Sequence, residues 1–272
     1  MPPSTTTGYA NIHGGKLYYE VAGDGPALLL IHAGVADHRM WDEQWAAFAQ
    51  HFRVIRYDTR EFGLTTSTDV TYSNRQDIAD LLAHLGVERT AILGVSRGAQ
   101  IATDFTLERP AMVTHLIAIS GGVSGYEASA TPAEIAIFTQ MEALMEAKDF
   151  AALTDLEVHV WGDGPGQPEG RMAAAPRAKM REMIWATYQA HRDESPTAQP
   201  LNPPAVDRLS EIRVPTLVIY GDLDFTDVPQ AMDYLAANVA GAQKVLMPGT
   251  AHLPSMEQPA QFTQTVLDFL SK

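Results

Sequence analysis

The sequence predicts an α/β fold, a mostly parallel sheet with helices on both faces and one helical insertion. Three observations predict it. Short apolar runs of strand length alternate with helix-patterned stretches over residues 16–120 and again over 214–270. Several runs are continuous instead of alternating, Ala27-Leu28-Leu29-Leu30-Ile31 most clearly, which is the pattern of a strand covered on both faces. From residue 121 to about 205 no strand is evident, and Ala-, Met- and Glu-rich helical patterns take over. The expected organisation is a core built from 1–120 and 206–272, with a helical insertion over 121–205. A chain of 272 residues can bury such a core.

Taken in order, residues 16–22 read as a strand closed by the turn Gly23-Asp24-Gly25-Pro26. The apolar run 27–31 follows, then the loop His32-Ala33-Gly34-Val35 and a helical stretch over 41–49. Residues 53–58 are the next strand and lead into the polar loop Thr59-Arg60-Glu61-Phe62-Gly63. Residues 74–85 are helical, with Asn74 as N-cap, Asp77 at the third helical position and Gly86 just past the end. Residues 91–93 form another apolar strand, 100–107 a helix, and 115–120 a further buried strand. Thr131-Pro132-Ala133-Glu134 is a capping box with proline at the first helical position, starting a helix that runs to about Lys148. A second helix spans 149–160, the Gly- and Pro-rich stretch 162–168 breaks it, and 176–191 is helical again. Met141, Met145, Met180 and Met183 fall at helical spacing there and read as packing residues. Pro196, Pro200, Pro203 and Pro204 close the insertion. Sheet patterning returns at 214–220, followed by a helix over 229–239, a strand over 243–247 and a last helix over 259–270.

Composition narrows the function. Hydrophobic residues make up 46% and charged residues 19%, a globular balance that excludes extended disorder. The formal charge is −14, from 33 acidic against 19 basic side chains, and a negative surface repels phosphate backbones, so no nucleic-acid partner is expected. There is no cysteine, which excludes disulfides, thiolate metal sites and a cysteine nucleophile. Residues 1–8 lack the basic region and apolar stretch of a signal peptide, and no apolar run reaches the length of a membrane span. A soluble, cytoplasmic protein with no membrane partner is the expectation. No H-E-x-x-H pattern or ligand cluster suggests a metal, and no cofactor is expected.

The chemistry centres on Gly94-Val95-Ser96-Arg97-Gly98, entered by the strand at 91–93 and left by the helix at 100–107. In that context G-x-S-x-G is a nucleophile elbow: the turn is so sharp that the serine backbone is strained and side chains two positions away would clash. A serine hydroxyl needs a base, and the base needs an orienting carboxylate, so an acid and then a histidine are sought downstream. Gly221-Asp222-Leu223-Asp224 sits at the C-terminal end of a buried strand, and Asp224 is favoured over Asp222, which fits a turn residue. His252, in Gly249-Thr250-Ala251-His252, lies after the next strand and is set apart from the other histidines by following both residues in the chain. Two N–H donors are needed for an oxyanion, one from Arg97 and one from the His32–Val35 loop, for which Gly34 is the choice. The Arg97 side chain is expected in a salt bridge with a nearby acid, its alternative being a substrate carboxylate. Val35 and Trp161 are candidates for lining the substrate pocket, Trp161 equally for packing within the insertion.

These residues together resemble the α/β-hydrolase superfamily over essentially the whole chain. The matching features are Leu30-Ile31-His32 with Trp41, Arg56-Tyr57-Asp58-Thr59-Arg60 with Phe62-Gly63, the elbow, Pro215-Thr216-Leu217-Val218 with Gly221-Asp222-Leu223-Asp224, and His252 with Glu257-Gln258-Pro259. Within that superfamily the chain is most similar to small esterases and lactonases of the 3-oxoadipate enol-lactonase type. The resemblance implies an α/β-hydrolase fold with an eight-stranded sheet and a helical cap. It also implies a Ser96, Asp224, His252 triad, with Gly34 and Arg97 as oxyanion donors, acting on a small-molecule ester or lactone. Three positions depart from the family pattern: Ala33 and Glu61 stand where glycines are usual, and Ala99 where a second glycine is typical after Gly98. Relatives that use an aspartate at the elbow, the haloalkane dehalogenases and epoxide hydrolases, are excluded by Ser96. Cofactor-free perhydrolases, carbon–carbon bond hydrolases and receptor-like scaffolds with little turnover share the triad and stay open.

Overall fold

A strand with no polar face can only sit inside a sheet, because neither of its sides can meet water. The computed structural model, which describes residues 4–190 and 196–272, places the apolar runs there. Eight strands form the sheet: β1 (Thr5–Ile12), β2 (Gly15–Ala22), β3 (Ala27–Ile31), β4 (Arg53–Tyr57), β5 (Thr90–Val95), β6 (Val113–Ile119), β7 (Thr216–Gly221) and β8 (Gln243–Met247). Their spatial order is β1-β2-β4-β3-β5-β6-β7-β8, and a two-residue strand, Thr66–Ser67, adds to the edge of β2. β2 runs antiparallel to β1 and β4, and every other neighbouring pair among the eight is parallel. The direction of winding reverses between β3 and β5, which opens a crevice at their C-terminal ends where ligands gather in such sheets.

Alternate residues of the central strands feed two separate cores. Leu29 and Ile31 of β3, Ile92 of β5 and Val218 of β7 face one core. It is completed by α2 (Asn74–His84), α3 (Arg97–Glu108) and α7 (Asp227–Asn238), through Leu81, Phe105 and Met232 among others. Leu28 and Leu30, Leu93, and Leu217 and Ile219 face the other, against α1 (Asp42–Phe48) and α9 (Pro259–Leu270), through Trp45, Phe48, Phe262 and Val266. Leu28 to Ile31 are all fully buried. Each contributes about 1.5–3 kcal/mol of burial, which is why this run reads so clearly.

Between β6 and β7 lie α4 (Pro132–Glu146), α5 (Phe150–Glu157), a π-helical continuation of α5 (Val158–Asp163) and α6 (Ala174–Gln189). The capping box forms as read: the Thr131 side chain accepts from the Glu134 N–H, and the Glu134 carboxylate accepts from the Thr131 N–H at 2.7 Å. Met180 and Met183 are fully buried, whereas Met145 is 46% exposed and packs little. His191, the last residue of the expected third helix, lies outside the described residues, as do residues 1–3. No helix among the described residues is long and apolar enough to cross a membrane.

Three expectations are corrected. The segment 121–205 does contain a strand, Thr197–Ala198, which pairs with Thr71–Tyr72; it is two exposed residues long and carries no apolar pattern. β1 has no place in the sequence expectation, since it lies at the sheet edge, is largely exposed, and owes its place to pairing all eight residues with β2. The N-cap of α2 is Ser73, not Asn74: Ser73 is extended (φ −123°, ψ 123°) and its side chain accepts from the Gln76 N–H. Asp77 is thereby the fourth helical residue, and its carboxylate is taken by the buried Arg60, with Nε at 2.7 Å.

Candidate active site

β5 ends at Val95 and α3 begins at Arg97, so Ser96 alone turns the chain from strand to helix. It does so at φ 56° and ψ −120°, a left-handed backbone that residues with a Cβ rarely adopt. A Cβ on Gly94 would overlap the Gly98 carbonyl oxygen. One on Gly98 would come 2.5 Å from the Ile31 carbonyl oxygen and 2.7 Å from that of His32. Both glycines of the motif are therefore required by backbone contact. Ala99 shifts this demand further along: a Cβ on Gly121 would lie 2.5 Å from the Ala99 methyl. The Ser96 N–H donates to the Ile119 carbonyl at 2.8 Å, which pins the turn to β6.

Asp224 follows the end of β7, and His252 sits in the loop between β8 and the short α8 (Pro254–Glu257). His252 Nδ1 lies 2.8 Å and 3.0 Å from the two Asp224 carboxylate oxygens, so the ring donates there and leaves Nε2 free to accept. Both side chains are buried. Backbone contact brings the two loops together: a Cβ on Gly221 would overlap the Thr250 carbonyl oxygen, and the Leu223 N–H donates to that same oxygen at 3.0 Å. Asp222 is exposed and accepts from the Gly249 N–H at 2.6 Å, which is the work of a turn residue.

The N–H groups of Arg97 and Gly34 donate to no acceptor among the described residues. The Gly34 loop lies beside Arg97, since a Cβ on Gly34 would be 3.8 Å from Arg97 Cδ. His32 tethers that loop: Nδ1 donates to the Ala33 carbonyl at 2.7 Å, and Nε2 accepts from the Thr59 N–H at 3.0 Å. Burial pushes the His32 imidazole pKa down, the nearby Asp58 opposing, so the tether is neutral. The buried Ala33 N–H faces Met40 Sδ at 3.4 Å.

Ser96, Arg97, Trp161 and His252 line one cavity of roughly 540 Å³. Val35 does not line it and packs half-buried against the core on the α1 side. The Trp161 ring centroid is 4.5 Å from those of His252 and Phe225, so this side chain both packs and faces the cavity. Most of the other lining residues escaped sequence reasoning, and two polar ones stand out. Asp227 stands at the start of α7, and Ser120 is a fully buried serine whose hydroxyl has no hydrogen-bond partner among the described residues. Ser120 also has a positive φ of 43°, and its place directly after a buried strand was the available signal.

The side chain of Arg97 makes none of the expected salt bridges among the described residues. Its guanidinium donates to the Thr59 hydroxyl at 2.7 Å and to the Asn74 side-chain oxygen at 3.5 Å, and lies 5.2 Å from the Phe62 ring centroid. Among the described residues, Asp37, His38 and Asp58 are grouped closely enough to suggest a metal. Their donors are already spent: Asp37 accepts from Arg39, and Asp58 from the His38 ring and N–H and the Leu64 N–H.

A profile of the alpha/beta hydrolase family matches residues 28–265. The chain is an α/β hydrolase. It is 36% identical over 125 residues to an uncharacterized protein of Mycobacterium tuberculosis, a match that spans 44% of this chain and only 36% of that one. It is 26% identical over 271 residues to the carboxylesterase YbfK of Bacillus subtilis, covering 96% of this chain and 86% of that protein. The enol-lactonase of Burkholderia xenovorans superposes with a TM-score of 0.77, at 24% identity over 97% of this chain and 100% of the other, which speaks for the fold.

In this α/β hydrolase the π-helical turn brings Trp161 to the cavity. Gly164 ends that turn at φ 100°, where a Cβ would come 2.6 Å from the Leu223 carbonyl beside Asp224. Arg171 ties the turn to the His252 loop, donating to the Gly162 carbonyl at 2.8 Å, the Gly249 carbonyl at 2.7 Å and the Glu257 carboxylate. Glu257 in turn accepts from the Ala251 N–H at 2.8 Å. The Glu134 carboxylate that caps α4 also accepts from the Thr226 N–H at 2.7 Å, at the start of α7.

Glu157, where α5 passes into the π-helical turn, is buried, and among the described residues only the Tyr188 hydroxyl donates to its side chain, at 2.9 Å. Burial pushes its carboxyl from the ordinary 4.5 up to about 7. A carboxyl that holds its proton more tightly when folded makes the protein lose stability as pH rises through that window, after which the penalty stays. Glu157→Gln is therefore expected to flatten this part of the pH dependence. At pH 8 it should exceed wild type in stability by on the order of 2–3 kcal/mol, roughly 5 °C in Tm. Thermal denaturation of both proteins at pH 5 to 8 checks it; parallel curves would show that Glu157 does not titrate there.

Proposed function

We propose that this α/β hydrolase is a serine hydrolase that cleaves a small carboxylic ester or lactone through an acyl-enzyme intermediate. The observation that carries the reading is the buried His252–Asp224 pair, whose histidine lines the same cavity as the strained Ser96. His252 Nε2 takes the Ser96 proton as Oγ attacks the acyl carbon, and the N–H groups of Gly34 and Arg97 hold the oxyanion. Asp224 keeps the ring in the required tautomer. The imidazolium returns its proton to the leaving alkoxide, and the acyl group stays on Ser96. A water then gives a proton to His252 and its oxygen to the acyl carbon, and the acid leaves as the serine regains its proton. Similarity over nearly the full chain to a carboxylesterase supports ester chemistry. Residues 121–205 serve as a cap over the core of 1–120 and 206–272, and the protein works in the cytoplasm.

Steady-state hydrolysis of p-nitrophenyl esters from acetate to octanoate tests this. Sustained turnover with a chain-length preference is expected. A single burst followed by a stall would point instead to a scaffold that reads a ligand without turning it over.

A further inference from the structure

We infer that Thr59 is a positioning residue for the proposed reaction: its hydroxyl links the two loops whose N–H groups, those of Gly34 and Arg97, hold the oxyanion. This rests on the reading of Ser96 as nucleophile with those two donors. The loops meet because their strands are neighbours. β4, β3 and β5 lie side by side and parallel, with Ile31 of β3 opposite Tyr57 of β4 and Gly94 of β5. The His32–Val35 loop therefore leaves the sheet between the loop of Thr59 and the elbow. A hydrogen bond to an oxyanion weakens steeply as its donor turns away, so donors on two separate loops need a common support.

Thr59 holds His32 on one side. The Thr59 N–H and hydroxyl lie 3.0 Å and 3.1 Å from His32 Nε2, and both residues are buried. A ring nitrogen that accepts leaves the proton on Nδ1, which lies 2.7 Å from the Ala33 carbonyl oxygen. That carbonyl and the Gly34 N–H belong to one planar peptide unit, so fixing the oxygen fixes the direction of the N–H. On the other side the same hydroxyl accepts from the Arg97 guanidinium at 2.7 Å. The Arg97 stem is thereby laid against Gly34, where a Cβ would be 3.8 Å from Arg97 Cδ and 3.9 Å from Arg97 Cβ. Phe62 of the Thr59 loop touches both partners as well, its ring centroid 5.0 Å from that of His32 and 5.2 Å from the Arg97 guanidinium carbon. The base of this loop is itself fixed. The Asp58 carboxylate accepts from the His38 N–H, the His38 ring and the Leu64 N–H, each at 2.8 Å, and a Cβ on Gly63 would overlap it.

The test measures p-nitrophenyl butyrate hydrolysis by wild type, Thr59→Val, Thr59→Ser and Arg97→Met. Active sites are titrated with a fluorophosphonate, and folding is checked by thermal denaturation. Valine keeps the shape and the N–H toward Nε2 but removes the hydroxyl. In Thr59→Val, kcat per titrated site is expected to fall about 10- to 100-fold with KM changed less than about 3-fold. Thr59→Ser should keep most of the rate. Binding of butyl trifluoromethyl ketone, whose hemiketal with Ser96 places its oxygen between the two N–H groups, should weaken by a similar factor in Thr59→Val. Arg97→Met cuts the link at its half-buried end and should also lose kcat, and the double variant should lose less than the product of the single losses. If Thr59→Val does not fold, Arg97→Met carries the same comparison with wild type. Wild-type kcat and ketone affinity in the folded variant overturn the inference, and so does a Thr59→Ser as slow as Thr59→Val or losses that multiply in the double variant. In each of these cases hydrolysis that still depends on Ser96 leaves the serine-hydrolase reading standing. Hydrolysis that does not depend on Ser96 overturns both.

Discussion

Ser96→Ala is expected to lower kcat on the p-nitrophenyl ester series by roughly 10⁴- to 10⁶-fold while the protein stays folded. The size follows from the division of labour: without the hydroxyl there is no acyl-enzyme, and His252 has no proton to take. What remains is the modest help of the oxyanion donors toward a bound water. Stability should change little, because Ser96 is fixed by its backbone bonds to Ile119, Ala99 and Gln100, and alanine carries the same Cβ at the same positive φ. Steady-state rates, paired with thermal denaturation of both proteins, check this. Hydrolysis by the variant at the wild-type rate would remove Ser96 from the reaction.

Asp224→Asn is expected to lower kcat by roughly 10⁴-fold, and Asp222→Asn by no more than about 3-fold. The two acids are two residues apart, yet their surroundings differ completely. Asp224 accepts from His252 Nδ1 within a buried pair, and an amide in its place can donate to Nδ1, which leaves the proton on Nε2 where a base must be free. Asp222 is exposed and holds only the Gly249 N–H, a bond that asparagine's side-chain oxygen can still accept. Parallel kinetics on the two variants decide between them. A larger loss in Asp222→Asn would mean that the orienting carboxylate is Asp222.

Much of the fold was legible because its strands are apolar on both faces. The sequence pattern marks β3, β4, β5, β6, β7 and β8 within a few residues, and Ala27–Ile31 and Gln243–Met247 to the residue. What escaped was local structure held by contacts distant in sequence. β1 exists through its register with β2, Thr197–Ala198 through Tyr72 and Thr71, and the cap of α2 is Ser73 while the Asn74 side chain accepts from Arg97. The π-helical turn after α5 was likewise hidden, since it differs from an α-helix by one hydrogen-bond step, the Gly164 N–H reaching the His159 carbonyl at 3.0 Å.

The candidate site divides in the same way. Gly94, Ser96, Gly98, Asp224 and His252 stand out in the sequence, because a sharp strand-to-helix turn and a fixed chain order leave few residue types possible. The Gly221 contact with the Thr250 carbonyl, which brings the acid and the histidine together, has no local signature. Neither does the Ser120 hydroxyl, which has no hydrogen-bond partner among the described residues, nor the turn of the Arg97 guanidinium to the Thr59 hydroxyl in place of a salt bridge. The sequence by itself determined the layered α/β architecture, since burial on both faces demands unbroken apolar runs, and it determined the strained elbow, since only glycine tolerates the backbone contacts there. Tertiary structure alone decided which side chains share the cavity and which partner each charge meets, because both depend on how loops from β3, β5, β6, β7 and β8 and the turn carrying Trp161 meet at one end of the sheet.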